Sequence, residues 1–569
     1  MYVATVPNRN SPPAILLREG MREGKKVRTR TLANLSHWPP ERIEALRQLL
    51  RGETLVRAED LFSVASSLPH GHVEAVMLAA RKLKLDVLLS SRPCRERDLV
   101  LAMIAGRVLD PASKLASTRL WGTSTLAAEV GVEGATVDEL YEALDWLLSR
   151  KERIEAKLAQ RHLREGGLAL YDVSSSFYTG RTCSLARMGY ERDGRRGLPL
   201  IVYGLLTDAE GCPVGVDTYP GNTGDPKTVP DQVMKLQERF GLSRVVLVGD
   251  RGMLTQTQIE VLKNHPGLSW ISSLRGPAVR DLVESGVLQM SLFDEKDLAE
   301  IHSPDYPGER LVACFNPLLA RERRRKREEL LLATESELER IQKEVSRRTK
   351  TPLGKGDIGV KVGRVIGRFK MGKHFEWSIE DGSFRWSRRD DSIRLEEALD
   401  GIYVVRTNEP KERLSAEDAV RNYKRLAEVE RAFRCLKGID LKIRPIHHRA
   451  DDRVRAHIFL CTLAYYLEWH MRKAWAPLLF QDEQRRTRRH QRDPVAPATP
   501  SASAKEKKSS RQTTDGFPVQ SFQTLLRNLA TRTRNTCTLK DKTAAFQQIT
   551  ETSPLQAQAL HLLAAVGST

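Results

Sequence analysis

Cysteine is scarce in this chain: seven in 569 residues (Cys94, Cys183, Cys212, Cys314, Cys435, Cys461 and Cys537), odd in number, scattered, and without a Cys-x-x-Cys pair. That spacing argues against a disulfide framework and against a zinc site, so the thiols read as reduced packing residues. Long apolar runs are missing as well, and nothing approaches the roughly 18 residues that a membrane-spanning helix needs. The opening MYVATVPNRNSPPAI has no charged region followed by an apolar core, so no secretory signal is expected and a cytoplasmic protein is. Acid is in deficit: Asp+Glu 73 against Lys+Arg 92 leaves a net charge of +19 and a pI near 9.6. A basic excess of this size favours a polyanionic partner, nucleic acid by default.

Candidate chemistry is concentrated in YKRLAEVERAFRCLK, from Tyr423 to Lys437. At helical spacing Leu426, Val429, Phe433 and Leu436 share one face, and Tyr423, Ala427, Glu430, Arg434 and Lys437 line the neighbouring one. Glu428 and Glu430 stand about 200° apart on such a helix and cannot serve one site. Glu430, with Tyr423 and Lys437 on its stripe, is the better candidate. Taken alone, the helix reads rather as a surface element with a solvated charged edge. Two apolar runs change that balance: LALYDV from 168 carries Asp172, and RVVLVGD from 244 ends on Asp250. Such runs read as strands covered on both faces, where a carboxylate is costly unless compensated. On neighbouring strands the two acids would lie roughly 5 Å apart, and a divalent cation, Mg²⁺ by its taste for carboxylates and water, would hold them.

Asp172, Asp250 and Glu430, with Tyr423 and Lys437 each seven residues from the glutamate, resemble the DDE transposases of bacterial insertion sequences. More narrowly they resemble the insertion-sequence-four family, whose signature is Tyr-x2-Arg-x3-Glu-x6-Lys. YDVSSSFYTG from 171, GNTGDPKT from 221, VLVGDRGM from 246, DGIYVVRTN from 400, VERAFRCLK from 429 and IRPIHHRADDRVRAHIFL from 443 resemble segments of these enzymes in the same order. The Arg of the signature is Leu426 here, with Arg425 and Arg431 close by, so its phosphate contact is left unassigned.

The order of elements predicts an α/β protein: an RNase H-like mixed-sheet catalytic core over 166–275 and 400–470, interrupted by a helix-plus-β insertion over 276–399. A mainly helical region over 1–165, a site for DNA-end recognition, precedes it. A basic disordered linker over 471–515 and a small helical element over 516–569 follow. Residues 1 to about 55 read as a hairpin, a basic stretch REGKKVRTRT and a helix from Pro40; the basic stretch fits DNA phosphates or a solvated edge. From Ala58 to Leu163 the pattern is helical throughout, with Thr136-x-x-Glu139 as a capping box. Asp225-Pro226 reads as a helix start in which Asp225 caps. Leu318 to Arg348 reads as one long helix packed on its own domain by Leu331, Leu338, Ile341 and Val345. Phe375, Trp377, Ile379, Phe384 and Trp386 give a hairpin with an aromatic face, and Arg364, Arg368, Lys370 and Lys373 beside it are candidates for guiding DNA. His447, His448 and His457 match no zinc pattern.

The resemblance implies a transposase that binds the terminal inverted repeats of its element, cleaves the ends and joins them to target DNA. Asp172, Asp250 and Glu430 would be catalytic and hold two Mg²⁺ ions, with Mn²⁺ as a substitute. Lys437 would sit on a phosphate, Tyr423 against the end DNA, and Arg434 beside them. A homodimer or larger assembly follows from cutting two ends in one complex. Two alternatives stay open: a non-catalytic DNA-binding protein that keeps the fold, and a nuclease that cuts without joining.

Overall fold

The Val- and Leu-rich runs pair into one eight-stranded mixed sheet: β1 (Leu168–Phe177), β2 (Leu200–Asp208), β3 (Pro213–Pro220), β4 (Val245–Val248), β5 (Leu268–Ser273), β6 (Leu298–Ile301), β7 (Arg310–Phe315) and β8 (Ile402–Thr407). Their spatial order is β6-β7-β8-β5-β4-β1-β2-β3. β1, β4 and β5 run parallel, and every other pairing is antiparallel. The computed structural model describes residues 1–9, 11–53, 62–192, 197–294, 296–438, 440–485, 487–539 and 544–566. None of its described helices is long and apolar enough to cross a membrane.

The chain divides into two compact units, Met1–Pro69 with Arg532–Glu551, and His70–Thr531 with Thr552–Thr569. In the first, Tyr2–Val6, Ala14–Glu23 and Lys26–Asn34 form a three-stranded sheet, and in another Phe62–Pro69 pairs with Thr533–Leu539, which pairs in turn with Ala545–Ile549. Two expectations change here. The basic stretch is itself a strand, Lys26–Asn34, exposed along its whole length. The helical pattern expected from Ala58 gives way to a strand at Phe62–Pro69, residues 58–61 lying outside the described residues. Its partner strand is supplied by a segment more than 460 residues away, which no local pattern announces.

In the second unit both faces of the β1 region are covered by helices. These include α1 (Lys151–His162), α2 (Ala416–Tyr423), α3 (Leu426–Lys437) and α4 (Asp451–Ala474). The Thr136–Glu139 capping box is formed, and its helix Val137–Ser149 buries Leu140, Ala143, Leu144 and Leu147 in this core. The sheet runs on past β5: LVACF, ringed by charged sequence, gives no hint that it forms β7 beside β8. A buried bidentate pair, Arg406 with Glu309 at 2.7 Å, joins β8 to the turn before β7. Beyond β7 the long helix Pro317–Arg347 packs with Lys355–Phe369 and the hairpin Phe375–Glu380/Ser383–Arg388 around a separate small core of Leu331, Leu338, Ile341, Phe375 and Phe384. Trp377 of the expected aromatic face is 41% exposed. The expected linker is structured in part. Ala502–Ser510 is a helix whose Ser501 cap bonds Asp482, and Lys507 is buried against the carbonyls of Ala476, Leu479 and Gln481.

Candidate active site

Asp172 lies in the middle of β1 and Asp250 just past the end of β4. Leu170 stands opposite Val248 in the parallel register, and the same offset carries Asp172 alongside Asp250. Gly249 makes the turn into Asp250 possible, because a Cβ there would meet Leu254 Cγ at 3.0 Å. Asp250's carbonyl accepts from the N–H groups of Met253 and Leu254, and Arg275 donates to the carbonyls of Arg251 and Gly252, fixing the loop.

The two carboxylates feel each other. Burial pushes the Asp172 carboxyl up to about 7 and the charge of Asp250 adds to the push, while the Val173 N–H, which Asp172 accepts at 2.8 Å, and Arg192 oppose it. Tyr423, the last residue of α2, donates its hydroxyl to Asp250 Oδ1 at 3.2 Å. Burial raises the Tyr423 phenol to about 12, so it remains a donor at neutral pH.

Glu430 sits on α3. Ser174 pairs with Tyr203, so Asp172 and Tyr203 project from one face of the sheet. Tyr203 meets Phe433 of α3 edge-on at 5.8 Å, which puts α3 on the Asp172 face. Glu430 and Arg434 are exposed and Lys437 is half-buried. Among the described residues Asp172, Asp250 and Glu430 do not come within 4.8 Å of one another as a set.

The stretch Tyr423 to Lys437, read above at one helical spacing, spans the junction of two helices. The chain turns at Lys424-Arg425, where the N–H of Glu428 bonds the Arg425 carbonyl three residues back at 2.8 Å. Glu428 is buried and pairs with Arg431 and Arg485 at 2.9 Å each, and with Arg489. Arg425 donates to the Ala209 carbonyl. The two arginines near Leu426 are thus engaged in contacts within the fold.

Two participants were not legible. Arg192, from the basic loop after β1, donates to the Val173 carbonyl at 3.1 Å and pairs with Asp225. Asp225 does not cap. The cap position is Gly224, and the Asp225 carboxylate, set against Arg192, adds to the negative field on Asp172. An aspartate ahead of proline gives the capping signal without showing which arginine folds onto it. Residues 193–196 of that loop lie outside the described residues.

Residues 175–467 match the family model of the transposase DDE domain, and residues 3–63 match the N-terminal domain of the IS1634 family transposases. These matches carry the transposase resemblance but not its insertion-sequence-four form, IS1634 being a different family. No curated protein matches the chain significantly. Among solved structures, the chain is similar to a piggyBac transposase in a synaptic complex with hairpin DNA, at 10% identity and TM-score 0.33, over 80% of this chain and 76% of that one. It is also similar to the Mos1 transposase in a paired-end complex with the left transposon end, at 15% identity and TM-score 0.14, over 34% of this chain and 62% of that one.

Proposed function

Because the chain belongs to the transposase DDE domain family, matching it over residues 175–467, we propose that it binds the terminal inverted repeats of its own insertion sequence, cleaves the ends and joins them to target DNA. The observation that carries this reading is that the neighbouring parallel strands bring the charge of Asp250 onto the Asp172 carboxyl, which burial and that charge push up to about 7. A pair of carboxylates so placed fits a cation site, since a bound cation would reverse the electrostatic push on Asp172. Asp172, Asp250 and Glu430 would hold the ions, Mg²⁺ with Mn²⁺ as a substitute. When bound, such ions supply activation of an attacking oxygen and neutralisation of the leaving one in an in-line displacement at phosphorus.

The chain's own side chains do the rest. Tyr423, hydrogen-bonded to Asp250, orients that carboxylate and meets the end DNA. Arg192 keeps a positive charge beside Asp172 when no cation is present. Lys437 and Arg434, on the stripe that carries Glu430, take phosphates of the bound end. Water entering the site gives a nicked strand; a DNA 3′-hydroxyl entering it gives a joined one. We read the core as RNase H-like, a reading supported by the order β3-β2-β1-β4-β5 with β1, β4 and β5 parallel. Assembly as a dimer or larger on paired ends, and work in the cytoplasm on nucleoid DNA, belong to the same proposal.

Strand transfer tests it. Purified protein, a pre-cut end duplex with a free 3′-hydroxyl, supercoiled target and Mg²⁺ should give joined products that EDTA prevents. End cleavage without joined products would favour a nuclease, and binding without either a non-catalytic protein.

A further inference from the structure

Folding brings His162, Cys212 and His470 within 4.8 Å of one another, and none of them has a part in the reaction proposed above. His162 ends α1, Cys212 follows the β2–β3 turn, and His470 lies in the last turns of α4. Cys212 Sγ is 3.9 Å from Nε2 of His162 and 3.8 Å from Nε2 of His470. Cys212 is fully buried and the two histidines are half-buried. We propose that these three side chains form a site for a borderline-soft divalent transition metal, Zn²⁺ by the donor set, which clamps α1 and α4 to the β2–β3 hairpin.

The geometry is close to what the metal needs. A tetrahedral ion with one thiolate and one imidazole at ordinary bond lengths separates S from N by roughly 3.6 Å. Each observed separation is therefore within about 0.3 Å of the bound one. Both histidines turn Nε2 towards the thiol. The other ring nitrogen of His162 faces Asp208 Oδ2 at 3.9 Å, the carboxylate position that commonly orients a ligating imidazole. Asp208 also shapes the turn that presents the thiol, accepting from the N–H groups of Glu210 at 2.8 Å and Cys212 at 2.9 Å. Tyr466 shares a hydrogen bond with His162 Nε2 at 3.1 Å, which the metal would replace, leaving the fourth position to that hydroxyl or a water.

Binding forms one metal–sulfur and two metal–nitrogen bonds, and the Cys212 thiol gives its proton to solvent. The donors are soft and intermediate, unlike the all-carboxylate set at Asp172, so the two sites would sort metals by type. A second cluster, Cys435, Asp440 and Glu468, lacks this character. Arg472 already pairs with Glu468 at 2.5 Å and with Asp440 at 3.0 Å, closing it as an ion pair.

Full-length protein stripped with chelator and titrated with Co²⁺, the spectroscopic stand-in for Zn²⁺, tests the site. One equivalent should produce a thiolate-to-cobalt charge-transfer band with tetrahedral d–d absorption, removed by Zn²⁺ and untouched by Mg²⁺. Cys212→Ser should abolish the charge-transfer band. His470→Gln, which keeps the thiol and decides the matter if the serine variant fails to fold, should weaken Co²⁺ binding at least tenfold. Cys435→Ser and Asp250→Asn should leave the spectrum unchanged, and the second keeps failure of this site distinct from failure of the DDE reading. Absence of the band in the native chain, its survival in Cys212→Ser, unaltered affinity in His470→Gln, or its loss in Cys435→Ser would overturn the proposal.

Discussion

Lys235 is a cation enclosed between two acids, and replacing it with Met should loosen the sheet edge. It is 3% exposed and contacts Asp217 Oδ2 at 2.5 Å and Glu155 Oε2 at 3.1 Å; Glu155 is 1% exposed. Lys151 bridges the same acids at 3.0 and 3.2 Å, and Glu155 Oε1 accepts the Val216 N–H at 2.9 Å, so the cluster ties α1 to β3. Burial alone would raise the Asp217 carboxyl, yet Lys235 and Lys151 hold it far below the usual carboxylate range. Lys235→Met keeps most of the volume and leaves two carboxylates with one cation. Breaking a buried pair in this way costs about 3–5 kcal/mol. That corresponds to faster exchange of the β3 amides by roughly two to three and a half orders of magnitude, if they open with the cluster. Hydrogen exchange read by mass spectrometry on the segment 213–220 measures it. Adding Glu155→Gln should recover part of the loss, since one acid then faces one lysine. The sign with pH follows from the lowered pKa. Asp217's contribution is complete above the ordinary carboxylate pKa and fades only as pH falls through the lower folded value, whereas the variant gains relief as its unpaired acid protonates, so the deficit narrows on acidification. A change below tenfold at neutral pH would refute the reasoning.

Lys114 is buried with its pKa lowered to about 7 from 10.5 by burial and by Arg107, and His448, half-buried and near both, is lowered to about 3 from 6.5. Between folded and unfolded pKa the unfolded chain binds more protons, so stability should rise with pH over both windows, by up to about 1.4 kcal/mol per pH unit for each group. Thermal midpoints at pH 5, 7 and 9 check this, and Lys114→Met should flatten the upper limb; a wild-type midpoint unchanged between pH 7 and 9 would count against it. Tyr423→Phe removes the hydroxyl that reaches Asp250, a charge-assisted bond of about 1.5–3 kcal/mol. End cleavage at saturating DNA should slow roughly ten- to hundredfold, and an unchanged rate would deny Tyr423 its orienting part.

The strands of Asp172 and Asp250 were legible because apolar runs bearing one acid are rare and costly. The Thr136 capping box and the Leu331–Val345 stripe were legible because their signals are local. What escaped reading depends on partners far along the chain. LVACF becomes β7 only through β8, some 90 residues on, and the Phe62–Pro69 strand exists through Thr533–Leu539. Asp225 offered a local capping signal that its partner Arg192 overrode. The break at Lys424-Arg425 was masked by good helix formers on both sides of it. Cys212, dismissed with the other thiols for want of sequence spacing, meets His162 and His470 only in the fold. In the Tyr423–Lys437 stretch, types and spacing favour Glu430 over Glu428 as the candidate, and Glu428 is buried in ion pairs with Arg431, Arg485 and Arg489.

End cleavage by the Asp250→Asn variant addresses the central claim most directly. A labelled duplex carrying the element's terminal repeat would be incubated with native or variant protein, in Mg²⁺ or EDTA, with binding followed on the same duplex by mobility shift. The account predicts metal-dependent release of a 3′-hydroxyl end by the native chain, and loss of that product with nearly unchanged binding in the variant, since the substitution removes a cation ligand and not a DNA contact. Cleavage that survives Asp250→Asn, or that proceeds in EDTA, would contradict it.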